Sequence, residues 1–260
     1  MRIYVQSCGV SQDNDYCWLK IRHNRSVREI PPILKRPLSG HSQGIVRVTD
    51  VIESQSLSMV VARDDGELLL LLTGLPAREE RTDFMGRRVR NSVAWVGEDS
   101  DEGERFIRSL VVRVLSNELE VAEAIDRAIV IGGEYGFDAS FEALNLLAEP
   151  LSVNINRNAD ATDKVGKSSP ILRQELALEL ESNCLSDREG LLIVLTSLKT
   201  QSAILEARVW RGLSSRIAAE GWITSSSSIV QKKTISKTAV GAAIAAALPL
   251  AIWILKLLFP

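Results

Sequence analysis

Short apolar runs separated by turn residues dominate residues 1–116. The runs are rich in β-branched and aromatic side chains, and clusters of Pro, Gly, Asp, Asn and Ser lie between them, which is typical of β-strands. The clearest hairpin signal is Asp65-Gly66, between two of these runs. The pattern predicts seven strands in a sandwich or barrel-like sheet, at 3–6, 16–21, 44–51, 57–62, 67–72, 89–96 and 107–115.

Helical periodicity begins after residue 116. Apolar residues recur on one face of 118–131, and acidic residues occupy its first turns, where the helix dipole favours them. Ser169-Pro170 has the pattern of a helix start, and the apolar run GLLIVLT is typical of a strand buried on both faces. The predicted elements are helices at 118–131, 138–147 and 170–183, a helix or helix pair at 201–219, and strands at 151–155 and 190–196. We therefore predict an α+β fold, with a β-rich part at 1–116 and an α/β part at 117–224.

The last part of the chain has a different pattern. Residues 238–255 form an uncharged apolar run of 18 residues, which spans about 27 Å as a helix, close to the thickness of a bilayer core. The run predicts a single transmembrane helix at 238–258 after a Ser/Lys-rich linker at 225–237. A buried C-terminal helix is the alternative, but such a helix rarely lacks a polar face. The predicted membrane interface residues are Lys232, Lys233, Lys237, Trp253 and Lys256.

These flanking lysines also predict the orientation of the anchor. By the positive-inside rule, Lys232, Lys233 and Lys237 keep the preceding domain in the cytoplasm, in a single-pass protein of the inner or cytoplasmic membrane. Gly241 and Ala245 form a small-xxx-small pair that allows close approach of two helices. This pair predicts a homo-oligomer through the membrane helix, with a plain anchor as the alternative.

Overall composition and charge narrow the class of protein. Apolar residues make up 45% and charged residues 25% of the chain, which is the balance of a globular protein. Formal net charge is −2, but residues 1–50 carry +4 and residues 97–150 carry −9. The basic part suits anionic headgroups or a protein partner, or is simply a solvated surface, and the acidic part argues against nucleic acid as a ligand.

Few residues offer recognisable chemistry. The chain lacks the P-loop, HExxH, CxxC, GxSxG and GxGxxG patterns. Three scattered cysteines, Cys8, Cys17 and Cys184, suggest free thiols in a reducing compartment rather than a disulfide framework or zinc site. A Cys–His pair with His23 or His41 is an open alternative. We therefore predict no catalytic set, no metal site and no cofactor.

The densest polar cluster lies at 78–91. A loop of this length with several guanidinium groups is suited to phosphate or carboxylate binding, because the planar guanidinium fork matches those anions. Internal pairing between acidic and basic side chains is the structural alternative. The candidate ligand- or partner-binding residues are Asp83, Arg87, Arg88 and Arg90.

A cytoplasmic domain on a C-terminal span resembles the membrane-anchored effectors and accessory proteins of bacterial conflict (antiviral defence) systems. The resemblance rests on architecture and carries over no functional residue. It implies a partner that senses infection and a membrane protein that acts on the bilayer. Two functions are therefore expected: a non-enzymatic effector or interaction protein that receives a signal and assembles in the membrane, or a membrane-tethered enzyme or ligand sensor with a site near 78–91.

The apolar run generates a direct test of localisation. Full-length protein should fractionate with membranes and resist carbonate extraction, whereas a truncated protein ending at Ser228 should be soluble, because the truncation removes the whole run. Equal solubility of the two proteins would identify the run as a core helix.

Overall fold

The computed structural model describes residues 1–23, 25–39, 46–78, 81–148 and 160–224. Met1–Trp222 is one compact unit, and Ile223–Pro260 is a second. The predicted linker at 225–237, the membrane helix at 238–258 and the strand at 151–155 lie outside the described residues. None of the helices that the structure describes is long and apolar enough to cross a bilayer.

The described elements form a mixed α+β fold. The strands are β1 (Arg2–Ser7), β2 (Cys17–Arg22), β3 (Arg25–Arg28), β4 (Ser58–Asp64), β5 (Glu67–Pro76), β6 (Arg90–Glu98), β7 (Ile129–Ile131), β8 (Phe137–Ala139), β9 (Lys164–Lys167), β10 (Gly190–Thr196), β11 (Arg211–Ser214) and β12 (Ile223–Thr224), the last of which belongs to the second unit. The helices are α1 (Pro32–Lys35), α2 (Asp101–Ser116), α3 (Glu118–Ala128), α4 (Phe141–Asn145), α5 (Pro170–Ser182) and α6 (Gln201–Glu206), with a 3₁₀ turn at Val48–Asp50.

One large sheet organises the first unit. Its strands lie in the order β9–β11–β10–β4–β5–β6–β1–β2–β3, while β7 and β8 form a separate ribbon. Strands β9, β11 and β10 are parallel, and the pairings from β10 to β3 are antiparallel. The two parts predicted on either side of residue 116 therefore share one sheet and one compact unit. Apart from the β7–β8 ribbon, the described strands of the first unit form this single sheet rather than the predicted sandwich or barrel.

The predicted hairpin between β4 and β5 is confirmed. Asp64 pairs with Glu67 across a two-residue turn, and both turn residues have positive φ, at 54° for Asp65 and 72° for Gly66. This conformation matches the right-handed twist of the flanking strands, which explains the strength of the Asp-Gly signal. Every residue of β4 is buried, so both faces of the central sheet are covered.

Two helices cross the parallel part of the sheet on opposite faces. A Cβ on Gly166 of β9 would lie 2.4 Å from the side chain of Leu172 in α5. A Cβ on Gly212 of β11 would lie 2.4 Å from Ile204 in α6. Gly166 pairs with Leu213, so the two glycines occupy alternate positions and face opposite sides. Glycine at each position allows a helix to pack directly on the strand.

The main core lies between the sheet and helices α2, α3 and α5. Trp95 of β6 is fully buried in it, and its indole N–H donates to the carbonyl of Leu144 at 3.4 Å. Helix α2 packs along α5 and against β5, and contributes Ile107, Leu110 and Val111 to the same core.

The predicted strand at 107–115 is wrong, because these residues belong to α2. The β-branched run favoured a strand, but Ser100 caps the helix by accepting from the N–H of Gly103 at 3.1 Å, and the first turn is acidic. Tertiary burial of one face then overrides local strand propensity.

Other predicted boundaries shift where a short strand follows a helix. Helix α3 ends at Ala128, before β7, and the predicted helix at 201–219 contains only α6 before β11 begins. The predicted helix at 138–147 is reduced to α4, because 137–139 pair in β8. Within the predicted strand 44–51, the described residues include the 3₁₀ turn Val48–Asp50. Helix α5 and strand β10 are confirmed.

Arg211 in β11 carries a charge but has no exposed surface. Its guanidinium group donates to both carboxylate oxygens of Glu179 in α5, at 2.8 and 2.5 Å, and to the carbonyl of Thr162 at 2.6 Å. The same group lies 4.2 Å from the ring centroid of Trp210. This pairing joins α5 to the parallel strands.

Removing the acidic partner of this pair should destabilise the unit. We expect Glu179→Ala to lower the free energy of unfolding by about 3 kcal/mol, because it removes the nearer of two carboxylates beside a buried guanidinium, the other being Asp160 at 3.7 Å. Glu181→Ala, at an exposed position of the same helix, is the matched control and should change stability by less than about 0.5 kcal/mol. Chemical denaturation of the full-length protein in detergent measures both, and equal stability of the two variants would contradict the structural role of the pair.

Candidate functional site

A row of polar residues runs across several strands of the sheet, near the ends of those strands. Thr196 pairs with Ser214, Ser58 with Thr73, and Ser92 with Gln6. This end of the sheet holds the carboxyl ends of the parallel strands, and β4 and β6 begin there because they run antiparallel to their neighbours. In open α/β sheets, ligands bind at the carboxyl ends of the strands.

The hydroxyl groups in the middle of this row are linked to one another. The hydroxyls of Thr73 and Ser92 are 2.8 Å apart, and Ser92 Oγ donates to Gln6 Oε1 at 3.1 Å. Thr73 and Ser92 are buried, so this chain of hydrogen bonds is shielded from bulk solvent. It places several dipoles at the base of a cleft.

A cleft of about 370 Å³ opens above these hydroxyls. Its volume lies within the range of small-molecule sites, about 300–1,000 Å³. The cleft brings together all four ligand-binding residues predicted from the 78–91 cluster. The lining residues are Gln6, Tyr16, Ser54, Gln55, Thr73, Asp83, Arg87, Arg88, Arg90 and Ser92.

A tight turn positions the predicted residues. The backbone N–H of Asp83 donates to the carbonyl of Arg87 at 2.9 Å, and Thr82 and Arg88 form an antiparallel bridge. Gly86 closes the turn with φ of 73°, and its N–H donates to the carbonyl of Asp83 at 2.9 Å. The cluster that the sequence suggested as a long loop is therefore a small hairpin over its described residues, and 79–80 lie outside them.

The carboxylate of Asp83 fixes this turn. Its Oδ1 accepts the backbone N–H groups of Met85 and Arg87, each at 2.9 Å, and its Oδ2 accepts Arg87 Nε at 2.8 Å. Burial raises the pKa of Asp83, but these hydrogen bonds and the charge of Arg87 outweigh burial and hold the pKa below its ordinary value. Asp83 is therefore an ionised structural group in the cleft wall.

Three guanidinium groups line the cleft beside this one acid. Arg88 Nε donates to the carbonyl of Ala77 at 2.9 Å, and Arg90 Nη1 donates to the carbonyl of Gly74 at 3.3 Å. The side chain of Arg87 is 64% exposed even though its Nε is bound to Asp83. Each guanidinium has five N–H donors, so these contacts use a minority of the donors. The described cleft therefore carries excess positive charge and spare donors.

Residues distant in sequence complete the site. The hydroxyl of Tyr16 accepts the backbone N–H of Arg90 at 2.8 Å. Burial raises the pKa of Tyr16, which keeps the phenol neutral at physiological pH. Ser54 and Gln55 also line the cleft, and the neighbouring Ser56 shares a 2.6 Å hydrogen bond with Ser197. No sequence signal predicted these residues, since their spacing to the arginines is set by sheet pairing.

Gly74 in β5 allows the segment that contains Ser56 to pack closely against the sheet. It has φ of 74°, and a Cβ at this position would lie 2.0 Å from the carbonyl oxygen of Ser56. The register of β5 against β6 shifts between Leu72 and Leu75, which marks a bulge at this glycine. The bulge turns the Gly74 carbonyl towards Arg90, which binds it.

Arg81 anchors the hairpin around Asp83 to β1 and α3. Its buried guanidinium donates to Ser7 Oγ at 3.0 Å and lies 3.7 Å from the carboxylate of Asp126 in α3. Arg78 Nε also binds Asp126, at 3.1 Å. The structural alternative proposed for the cluster, internal pairing, applies to Asp83 and Arg87, while Arg78 and Arg81 pair with Asp126 outside the cluster. Arg87, Arg88 and Arg90 also line the cleft.

No described histidine is among the groups that shift the pKa of Cys8 or Cys17. Cys8 is buried, and burial raises the pKa of its thiol, with Tyr16 as a hydrogen-bond partner that opposes the shift. Burial likewise raises the pKa of Cys17. His41 lies outside the described residues. Over the described ranges, the structure contains no group of three or more His, Cys, Asp or Glu side chains placed to hold a metal ion.

The residues predicted to lie in or beside the membrane are outside the described part of the chain. These are Gly241, Ala245, Lys232, Lys233, Lys237, Trp253 and Lys256.

No protein-family model, curated protein or solved structure matches this chain significantly. The function is therefore inferred from the cleft and from the sequence.

The Asp83 turn predicts a pH-dependent local stability. The pKa of Asp83 is depressed by folding, so its contribution is complete above the unfolded-state pKa of about 3.9 and is lost as pH falls through the folded-state pKa. In wild type, the amides of Met85 and Arg87 should therefore lose protection from hydrogen exchange only in that acidic range. In Asp83→Asn they should exchange faster than wild type at neutral pH. Unchanged protection in this variant would show that the turn does not depend on the carboxylate.

Proposed function

We propose that this chain is a membrane-tethered, signal-receiving protein that binds an anionic ligand in the cleft between Asp83 and Arg90. The single observation that supports this function best is the convergence of Arg87, Arg88 and Arg90 on one cleft above buried hydroxyl groups. Guanidinium forks and hydroxyl donors together suit phosphate or carboxylate oxygens.

The local electrostatics favour binding over acid–base catalysis. The carboxylate of Asp83 already accepts three hydrogen bonds, and its lowered pKa makes it a poor general acid near neutral pH. The neutral phenol of Tyr16 is a neighbouring hydrogen-bonding group. We therefore place this cleft in a non-enzymatic receptor rather than in an enzyme.

The tether is proposed from the sequence. Residues 238–258 would anchor the protein in the cytoplasmic membrane with the first unit in the cytoplasm, and Gly241 and Ala245 would allow anchors of two copies to associate. In this proposal, ligand or partner binding in the cleft is the signal, and assembly of the anchors is the response. A cytoplasmic domain on a C-terminal span would suit such a role in antiviral defence.

Removal of two cleft charges should weaken ligand binding without unfolding the protein. We expect the double variant Arg87→Gln, Arg90→Gln to bind inorganic pyrophosphate at least about tenfold more weakly, because each lost charge-assisted hydrogen bond is worth about 1.5–3 kcal/mol. Its thermal stability should fall little, since the Arg87 side chain is 64% exposed and ion pairs with a solvent-exposed partner contribute about 0–1 kcal/mol. Isothermal titration calorimetry on full-length protein in detergent measures the affinity.

Arg127→Gln is the matched control for this experiment. Arg127 is also exposed, and it pairs with an acid four residues away, Glu123, at 3.6 Å. The control should bind pyrophosphate as wild type does. A large loss of melting temperature in the double variant would assign Arg87 and Arg90 to structural pairing instead.

The anchor proposal has its own test. Gly241→Leu or Ala245→Leu should leave insertion intact, because leucine is more apolar, but should reduce cross-linking between copies, because bulk at the small face separates the helices. Cross-linking in membranes and a membrane-potential dye in an expressing bacterium measure assembly and pore formation. Wild-type behaviour of both variants would mean that the segment is only a tether.

A further inference from the structure

An apolar pair is exposed in the turn that carries the cleft arginines. Phe84 is 46% exposed and Met85 is 62% exposed, and both lie between Asp83 and Gly86. The Asp83 carboxylate binds the backbone N–H groups of Met85 and Arg87, so the turn is fixed. Single exposed apolar residues are ordinary, but here two large ones adjoin a cluster of guanidinium groups.

This arrangement matches the two layers of a membrane surface. Large apolar side chains enter the boundary between headgroups and acyl chains, while arginines bind the phosphates that lie nearer to water. In the hairpin, Phe84 and Met85 would enter the boundary between headgroups and acyl chains. The neighbouring Arg87, Arg88 and Arg90 would bind the phosphates. Asp83 is the only acid in the described cleft lining, and its charge is already paired with Arg87.

We propose that the anion bound in the cleft is the phosphate of an anionic phospholipid, with Phe84 and Met85 inserted beside it in the membrane interface. This inference rests on the proposed function, because it names the ligand of the same cleft. A tethered protein would meet such a ligand at high effective concentration, so a weak site is sufficient. Lipid binding would then report membrane composition to the first unit.

The test uses full-length protein in nanodiscs of phosphatidylcholine alone or mixed with phosphatidylglycerol. An environment-sensitive fluorophore is attached at Met85→Cys in a background with Cys17→Ala and Cys184→Ala, since Cys8 is buried. A label at Leu119→Cys, which is 75% exposed on α3, is the matched control. We expect a blue shift of the Met85 label only with phosphatidylglycerol, and no shift of the control label.

Two further arms separate the possible outcomes. Adding Arg87→Gln and Arg90→Gln should remove the blue shift, and excess inorganic pyrophosphate should reverse it by competing for the cleft. A shift that is equal in both lipids would overturn the inference, because it would show apolar insertion without a preference for a net anionic headgroup. Pyrophosphate binding without any lipid-dependent shift would also overturn it and leave the proposed function standing. Absence of both pyrophosphate binding and the shift would reject the two together.

Discussion

Buried guanidinium groups must find partners, and this requirement ties the described unit together. Arg211 binds Glu179, Arg81 lies beside Asp126, and Arg108 of α2 donates to the carbonyls of Leu180 and Asn183 at 2.6 and 2.9 Å. Each contact joins elements that are distant in sequence. Because an unpaired buried charge costs several kcal/mol, each pairing restricts how the helices can pack on the sheet.

The site depends on the same constraint. Arg81 holds the base of the hairpin against Ser7 and Asp126, and Arg87 contributes to the turn through its ion pair with Asp83. Asp83 then fixes the turn itself. Arg87 therefore combines a structural ion pair with an exposed position at the cleft, whereas Arg81 is buried and serves only as an anchor. This arrangement leaves exposed guanidinium groups at the cleft in a cluster that also contains ion pairs.

Sequence reasoning succeeded where local chemistry decides the structure. The Asp65-Gly66 turn, the Ser169-Pro170 helix start and the apolar strand Gly190–Thr196 are each encoded within a few residues. It failed for 107–115, where β-branched residues lie in α2 because the sheet and α5 bury one helical face. Strand order was also beyond reach, since it depends on pairings between residues far apart. The arginines of the cleft could be predicted from charge density alone, whereas Tyr16, Thr73 and Ser92 join them only through that strand order.

Like charges held in one cleft have an energetic consequence for the free protein. Mutual repulsion among Arg87, Arg88 and Arg90 opposes folding, and the carbonyls of Ala77 and Gly74 and the carboxylate of Asp83 offset part of it. An anion in the cleft would remove more of this repulsion, and by linkage its binding would stabilise the folded unit. Under the proposed function, ligand occupancy of the cleft would be coupled to the stability of the hairpin, and through Arg81 to α3. Such coupling would give the proposed binding site a means of transmitting a signal.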